Sequence, residues 1–106
     1  MRYVDKNLAL GYLANSEVIF NKIKDSFLNS YQSWYYDISN LESDKDCEGL
    51  YRYIHSIKGI SLNIGSQLLY DDSCKALKDI KDHNKSDSLD AFKQTLSHVY
   101  DELKLL

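Results

Sequence analysis

Three residues within one turn of a predicted helix, His55, Lys58 and Gly59, have side chains that could do chemistry together. An imidazole ring is in good part neutral near pH 7 and can act as a nucleophile. A lysine three residues further along a helix lies on the same side and attracts negative groups. The residue types therefore suit a histidine that receives an anionic group from a partner.

Gly59 is unexpected in this position, because glycine inside a helix costs about 1 kcal/mol relative to alanine. Helical side chains point back toward the N-terminus, so a side chain at position 59 would lean over the imidazole of His55. Glycine removes that obstacle. We therefore expect a loop of another protein to approach the ring closely at this point.

The predicted helix that carries these residues runs from about Leu50 to Gly65, with about 100° between successive residues. His55 points about 100° away from Ile54 and off the core. Its neighbours on the surface are Tyr51, Lys58, Gly59 and Leu62. The predicted core stripe of this helix is Leu50, Ile54, Ile57, Ser61 and Ile64.

Other apolar stripes with helical spacing predict the remaining elements. A short N-terminal helix, roughly Asp5 to Leu13, is followed by a long helix from about Asn15 to Leu41. Asn29 and Ser30 could bend or divide the long helix. Its stripe is Phe20, Ile23, Phe27, Tyr31, Trp34, Ile38 and Leu41. A turn, ESDKD, follows, in which Ser43 with Asp46, or Asp44 itself, could cap the next helix.

Two further helices complete the pattern. The first begins near Ser66 and carries Leu69, Ala76, Leu77 and Ile80. The segment DHNKSDS is a loop in which Asp87, with Asp90, resembles a capping box. The last helix carries Leu89, Phe92, Leu96, Val99 and Leu103.

The chain of 106 residues suits a single domain, residues 1–106, and contains no proline to interrupt long helices. No segment alternates as a strand does. Short connections favour antiparallel neighbours, so we predict an all-α fold: an up-down four-helix bundle with a short additional N-terminal helix.

Bulk properties exclude several classes of protein. A net charge of -3 argues against a nucleic-acid binder that relies on overall positive charge. No apolar run approaches the roughly 20 residues that span a membrane, and no signal peptide is visible. Two cysteines, Cys47 and Cys74, do not form a disulfide framework, so we interpret them as reduced packing residues of a cytoplasmic protein.

The segment IHSIKGISLNIGS resembles the signature of histidine-containing phosphotransfer (HPt) domains, approximately H-x-L-K-G-x-S/A-x-x-L/I-G-A/S. The motif covers about a tenth of the chain, and the predicted bundle extends the resemblance over nearly all of it. Ile54 departs from the family pattern, where alanine is frequent, on the core face. The matching residues are His55, Lys58, Gly59, Ser61, Ile64, Gly65 and Ser66, with Ile57 where leucine is common.

The resemblance implies a phosphorelay intermediate of two-component signalling. His55 would be the phosphoacceptor, Lys58 would stabilise charge on the phosphoryl group, and Gly59 would give a receiver domain access. Ser61 would be a packing residue. The domain would need no cofactor and have no ATP-dependent kinase activity, since the receiver holds the magnesium ion.

The resemblance also implies partners: receiver domains of response regulators, with a hybrid sensor histidine kinase as a further candidate. HPt domains of this type are usually monomeric. We expect the docking surface around His55 to be an apolar patch with a polar rim. Its predicted residues are Tyr51, Arg52, Leu62 and Gln67.

Three alternatives are weighed against this interpretation. His55 could be a surface histidine without a role, which the motif disfavours. A metal-binding bundle enzyme would need inward-facing Glu-x-x-His motifs, which the sequence lacks. An HPt-like module could dock receivers without transferring phosphate, and the sequence leaves this alternative open.

The remaining candidate residues are interpreted as structural. His83 lies in a polar loop, and His98 has a structural or solvated role. Trp34 and the following tyrosines form bundle core and rim, while Asp71 and Asp72 form a solvated face.

Overall fold

Six helices form in the part of the chain that the computed structural model describes, residues 2–82 and 87–106, and no strand occurs there. The all-α class is therefore confirmed. The helices are α1 (Lys6–Tyr12), α2 (Glu17–Ser30), α3 (Trp34–Ser43), α4 (Cys47–Ser61), α5 (Gln67–Lys81) and α6 (Asp87–Lys104).

Short polar side chains set the starts of four helices. Asp5, Ser16, Asp46 and Ser66 each accept a hydrogen bond from a backbone N–H in the first turn of the helix that follows. Such caps satisfy donors that have no partner inside the helix and contribute about 1 kcal/mol each. Prediction of Ser43 or Asp44 as the cap of α4 was wrong.

The predicted loop before α6 lies mostly outside the described residues. Asp87 and Asp90 both lie inside the first turn of α6. Their negative charges interact favourably with the positive end of the helix dipole at the N-terminus. The predicted capping box at Asp87 involves the residues before it, which lie outside the described part of the chain.

The long second helix is divided, as Asn29 and Ser30 suggested, but the break falls just after them. Tyr31 ends α2 with its N–H on the Phe27 carbonyl, and Trp34 begins α3 with its N–H on the Tyr31 carbonyl. Aromatic packing holds this turn: the Tyr31 ring lies 4.9 Å from that of Phe27. The weak helix formers Asn29 and Ser30 thus indicate roughly where the helix breaks, and tertiary packing determines that Tyr31 is the C-cap of α2.

Each of the six helices packs against at least one other helix. α4 packs against α5 and α5 against α6, while α3 contacts α4 and α2 contacts α6. α1 contacts α2. The largest fully buried side chains include Phe20, Phe27, Phe92, Ile38, Ile54, Ile57, Ile64, Leu69 and Leu96.

The turn between α4 and α5 makes the two helices an antiparallel pair. Ser66 donates its backbone N–H to the Ser61 carbonyl, and Gly65 donates to the Leu62 carbonyl. This is the hydrogen-bond pattern of a Schellman motif, in which a glycine with positive φ ends the helix. Gly65 has φ +88° and closes the turn, whereas the regular helix α4 already ends at Ser61, earlier than predicted.

An N-terminal segment, residues 2–5, lies over this turn and the end of α6. The backbone N–H of Asp5 donates to the Gly65 carbonyl at 2.7 Å. The carboxylate of Glu102 accepts the backbone N–H groups of Tyr3 and Val4 at 2.9–3.0 Å. These contacts fasten the start of the chain to helices far away in sequence.

Two residues lie elsewhere than predicted. Asp72 is not on a solvated face: it is buried, and its carboxylate accepts a 2.6 Å hydrogen bond from the Thr95 hydroxyl. This pair lets α5 and α6 bury polar groups without leaving an acceptor unpaired. Cys47, the first residue of α4, is exposed rather than a packing residue, whereas Cys74 is partly buried, as the prediction requires.

Candidate functional site

His55 lies in the middle of α4 with its side chain exposed to solvent. The predicted core stripe of this helix is fully confirmed, since Leu50, Ile54, Ile57, Ser61 and Ile64 are all buried. Burying an isoleucine side chain stabilises a fold by about 1.5–3 kcal/mol. A rotation of α4 that buried His55 would expose this stripe, so core packing keeps the imidazole on the surface.

Tyr51, one turn before His55, shields one face of the imidazole. The two rings are nearly parallel, with 20° between their planes and 6.2 Å between their centroids. Tyr51 is itself partly buried against the core. The His55 side chain nevertheless remains exposed to solvent.

Gly59, one turn after His55, is exposed and has open space where a side chain would be. A Cβ atom built at Gly59 has no neighbouring atom within 4 Å. The other glycine of the helix differs, because a Cβ at Gly49 would come within 2.8 Å of Leu41 and collide with the cap Asp46. Internal packing thus accounts for Gly49 but gives no reason for a glycine at position 59.

Lys58 is partly buried at the edge of α4 that faces α5. Its Nζ lies 5.7 Å from the centroid of the Tyr70 ring. Among the described residues, Lys58 has no carboxylate within ion-pair distance. Other lysines do have such partners: Lys6 with Glu17, Lys93 with Glu42 and Lys104 with Asp101.

The predicted docking residues fall into two groups. Tyr51, Arg52 and Leu62 share the face of α4 that carries His55, within about 60° of it on a helical wheel. Arg52 is exposed and forms a 2.8 Å ion pair with Glu48 on the same face. An exposed pair of this kind contributes only about 0.3–0.5 kcal/mol, so Arg52 can exchange its partner at little cost.

Gln67 is the first residue of α5, so it does not share a helix with His55. Its side-chain amide donates to the Asp71 carboxylate at 3.1 Å. It lines an open cleft of about 360 Å³ between the N-terminal segment and α5, to which Arg2 and Leu8 also contribute. Gln67 thus follows the α4–α5 turn, whereas His55 lies on α4 before it.

The other predicted structural residues are distinct from this site. The His98 ring stacks on Tyr3 at 4.5 Å, which gives it a structural contact. Trp34 is partly buried against the core, whereas Tyr35 and Tyr36 are exposed. His83 lies outside the described residues.

Tyr53, on the side of α4 that faces α3, is held by a partly buried hydrogen bond. Its hydroxyl donates to the Asp37 carboxylate at 2.8 Å. Burial raises the pKa of Tyr53 well above the ordinary value of a tyrosine, and the hydrogen bond to Asp37 and its negative charge raise it further. Tyr53 therefore anchors α4 to α3 and lies off the His55 face.

Within residues 2–82 and 87–106, no three His, Cys, Asp or Glu side chains are grouped closely enough to hold a metal ion. In the same part of the chain, none of the helices is both long and apolar enough to cross a lipid bilayer.

Sequence reasoning missed Tyr70, although a signal for it exists. Lys58 lies six residues before Ile64 and Tyr70 six residues after it. In an antiparallel helix pair whose turn is centred near Ile64, these two positions lie at the same level.

Taken together, an open imidazole, an ammonium group without a carboxylate partner and a bare stretch of helix can bind and accept a small anionic group. No protein-family model, no curated protein and no solved structure matches the chain.

Proposed function

We propose that this protein is an HPt-type phosphocarrier that accepts a phosphoryl group on His55 from a receiver-domain aspartate and passes it to another receiver. One observation carries the proposal: the exposed His55 lies one helical turn before Lys58, which has no carboxylate partner among the described residues, and before Gly59, which has open space around it. Gly59 weakens the helix and has no packing partner that would account for it. Access by a second protein explains it.

The transfer step exchanges one bond for another. The unprotonated ring nitrogen of His55 attacks the phosphorus of an aspartyl phosphate, and a P–N bond forms. The P–O bond to the aspartate breaks, and its electron pair returns to the carboxylate. Any proton lost from the second ring nitrogen passes to solvent, because the ring is exposed.

The role of Lys58 is electrostatic. The phosphoryl group carries negative charge on its oxygens throughout the transfer, and a nearby ammonium stabilises it. A carboxylate partner would compete with the phosphoryl group for this ammonium. Lys58 has none among the described residues, so its charge is available.

Receiver domains are the proposed partners, and a hybrid sensor histidine kinase is a further candidate. Tyr51 and Leu62 provide apolar contact beside the imidazole, and Arg52 provides a positive rim. The acidic site of the receiver would hold the magnesium ion, so this chain needs no cofactor of its own. We propose a monomer in the cytoplasm, a reducing compartment that suits the free thiols of Cys47 and Cys74.

Transfer of label from a phosphorylated receiver domain tests the proposal. Receivers encoded in the same genome are charged with labelled phosphate and mixed with the protein. The wild type should acquire an acid-labile label, as expected of a phosphoramidate, and His55→Gln should acquire none. His83→Gln and His98→Gln are the matched controls and should be labelled normally.

Two results would contradict the assignment. Labelling that survives in His55→Gln would move the acceptor elsewhere, and an acid-stable adduct would indicate serine or tyrosine. Receiver binding without any labelling of the wild type would instead identify a docking module that does not transfer phosphate.

Lys58→Ala tests the charge partner. Loss of one charge-assisted contact of about 1.5–3 kcal/mol should slow transfer about 10- to 150-fold. The fold should persist, because position 58 lies off the buried stripe, and circular dichroism can check the helix content. A large loss of helicity would mean that Lys58 supports packing instead.

A further inference from the structure

Lys58 makes an aromatic contact in place of an ion pair. Its Nζ lies 5.7 Å from the centroid of the Tyr70 ring, within the distance of about 6 Å at which an ammonium group is attracted to an aromatic face. Both side chains are partly buried. Tyr70 comes from α5, so the contact crosses from the helix that bears His55 to its antiparallel neighbour.

An aromatic ring and a carboxylate restrain a lysine with different consequences. A carboxylate neutralises the ammonium and must be displaced before an incoming anion can bind. A ring face attracts the ammonium through its quadrupole but leaves the net positive charge intact. A lysine side chain also has about 2 kcal/mol of rotamer entropy, part of which the ring contact removes in advance.

We propose that Tyr70 is a positioning residue, whose ring holds the Lys58 ammonium beside His55 and keeps it charged for the arriving phosphoryl group. The inference rests on the proposed phosphotransfer function and adds a residue outside the HPt signature to its site. Tyr70 itself need not touch the phosphoryl group, since it acts through Lys58.

Nuclear magnetic resonance tests the contact without any transfer reaction. The ring current of Tyr70 should shift the ε-methylene protons of Lys58 upfield. Tyr70→Phe keeps the ring and should keep the shift, whereas Tyr70→Leu should return these protons to the position of an exposed lysine. An unchanged Lys58 spectrum in Tyr70→Leu would show that the contact does not form and would overturn the inference.

Phosphorylation by phosphoramidate, a small phosphodonor that needs no partner protein, tests the consequence. Tyr70→Leu should accept phosphate about two- to tenfold more slowly than the wild type, the range expected for loss of a cation–π contact. Tyr70→Phe should react at the wild-type rate. An equal rate for wild type and Tyr70→Leu, or a faster rate in the variant, would refute the positioning role.

A double-mutant comparison distinguishes positioning from a general effect on the fold. In a Lys58→Met background, Tyr70→Leu should cause no further loss of rate, because the ring then has nothing to position. A further loss would show that Tyr70 acts on the fold and would overturn the inference. Lys104→Met is the matched control: it removes an ammonium that lies 5.0 Å from the Tyr100 ring on α6, and should leave the rate unchanged.

Failure of this inference and failure of the proposed function give different results. A wild type that accepts phosphate at His55 while Tyr70→Leu reacts equally fast contradicts only the role of Tyr70. A wild type that accepts phosphate from neither phosphoramidate nor receiver domains contradicts both, since Tyr70 then has no step to assist.

Discussion

Substitution of Gly59 should increase the stability of the fold and decrease the rate of phosphotransfer. A substitution that damages a site normally lowers both. The residue is exposed inside α4, and the hydrogen bond from the Ile64 N–H to the Ile60 carbonyl continues the helical pattern beyond it. A Cβ at position 59 meets no atom within 4 Å. Alanine therefore gains helix propensity without a steric cost.

The expected gain follows from helix propensity alone. Gly59→Ala should raise the free energy of unfolding by about 0.5–1 kcal/mol. In a domain of this size, that gain corresponds to an increase of roughly 3–6 °C in Tm. Gly59→Leu should gain nearly as much, because leucine is also a strong helix former and its side chain enters open space.

The expected loss of activity depends on the size of the new side chain. A leucine at position 59 leans toward His55 and occupies the surface that a receiver must reach. Forcing extra methylenes into a packed contact costs about 1–3 kcal/mol, which corresponds to a 5- to 150-fold slower transfer from the receiver. Alanine adds one methyl group and should cause a smaller loss.

Thermal unfolding followed by circular dichroism gives Tm, and label transfer from a receiver gives the rate. Gly11→Leu is the matched control, because Gly11 is also exposed with open space around its Cβ but lies on α1. This variant should transfer phosphate at the parent's rate. If Gly59→Leu unfolds at a lower temperature than the parent, the glycine serves packing; if it transfers at the parent's rate, the access argument is wrong.

Three further predictions concern the scaffold. Gly65→Ala should lower the free energy of unfolding by at least ~2 kcal/mol in denaturant titrations, because φ is +88° and a Cβ would collide with the Asp5 carbonyl. The backbone N–H groups of Tyr3 and Val4 donate to the Glu102 carboxylate, so Glu102→Ala should accelerate their hydrogen exchange about 10- to 100-fold. Unchanged exchange rates would contradict the observed contact. Burial, together with the Asp37 carboxylate, raises the pKa of Tyr53, so the unfolded chain ionises first at alkaline pH. Stability should therefore be full below about pH 10 and fall above it, and urea titrations at about pH 9 and pH 11 should show a smaller fall in Tyr53→Phe.

Local patterns predicted most of the helices, because each buries one stripe whose spacing is visible in the sequence. The stripe from Leu50 to Ile64 is buried throughout, which fixes the direction of His55. Helix boundaries were less predictable. Several polar residues near position 45 could cap α4, and it is Asp46 whose carboxylate accepts a 2.8 Å hydrogen bond from the Gly49 N–H.

Asp72 shows why a polar pair can be mistaken for a surface. Two adjacent aspartates suggest a solvated face, but Asp72 lies three residues after Leu69 and four before Ala76, on the buried side of α5. Thr95 holds the equivalent place on α6, three residues after Phe92. Helical spacing thus indicated burial at both positions, and only the tertiary pairing of the helices shows that the two side chains satisfy each other.

Contacts of the N-terminal segment had no local signal at all. Glu102 accepts hydrogen bonds from Tyr3 and Val4, which are nearly a whole chain length away. No periodicity in either segment specifies such a pairing. Whether these hydrogen bonds form depends on where α6 ends relative to the α4–α5 turn, and only the assembled fold determines that position.

In the candidate site, too, contacts within one helix could be predicted from the sequence more readily than contacts between helices. His55, Lys58 and Gly59 share one turn of one helix, so their spacing alone places them together. The restraint on Lys58 comes from another helix and was missed. The symmetry of positions 58 and 70 about Ile64 makes even this contact accessible, once the α4–α5 turn is identified from Gly65 and Ser66. When two helices are joined by a short turn that the sequence reveals, contacts between the two helices can therefore be predicted as well as contacts within one helix.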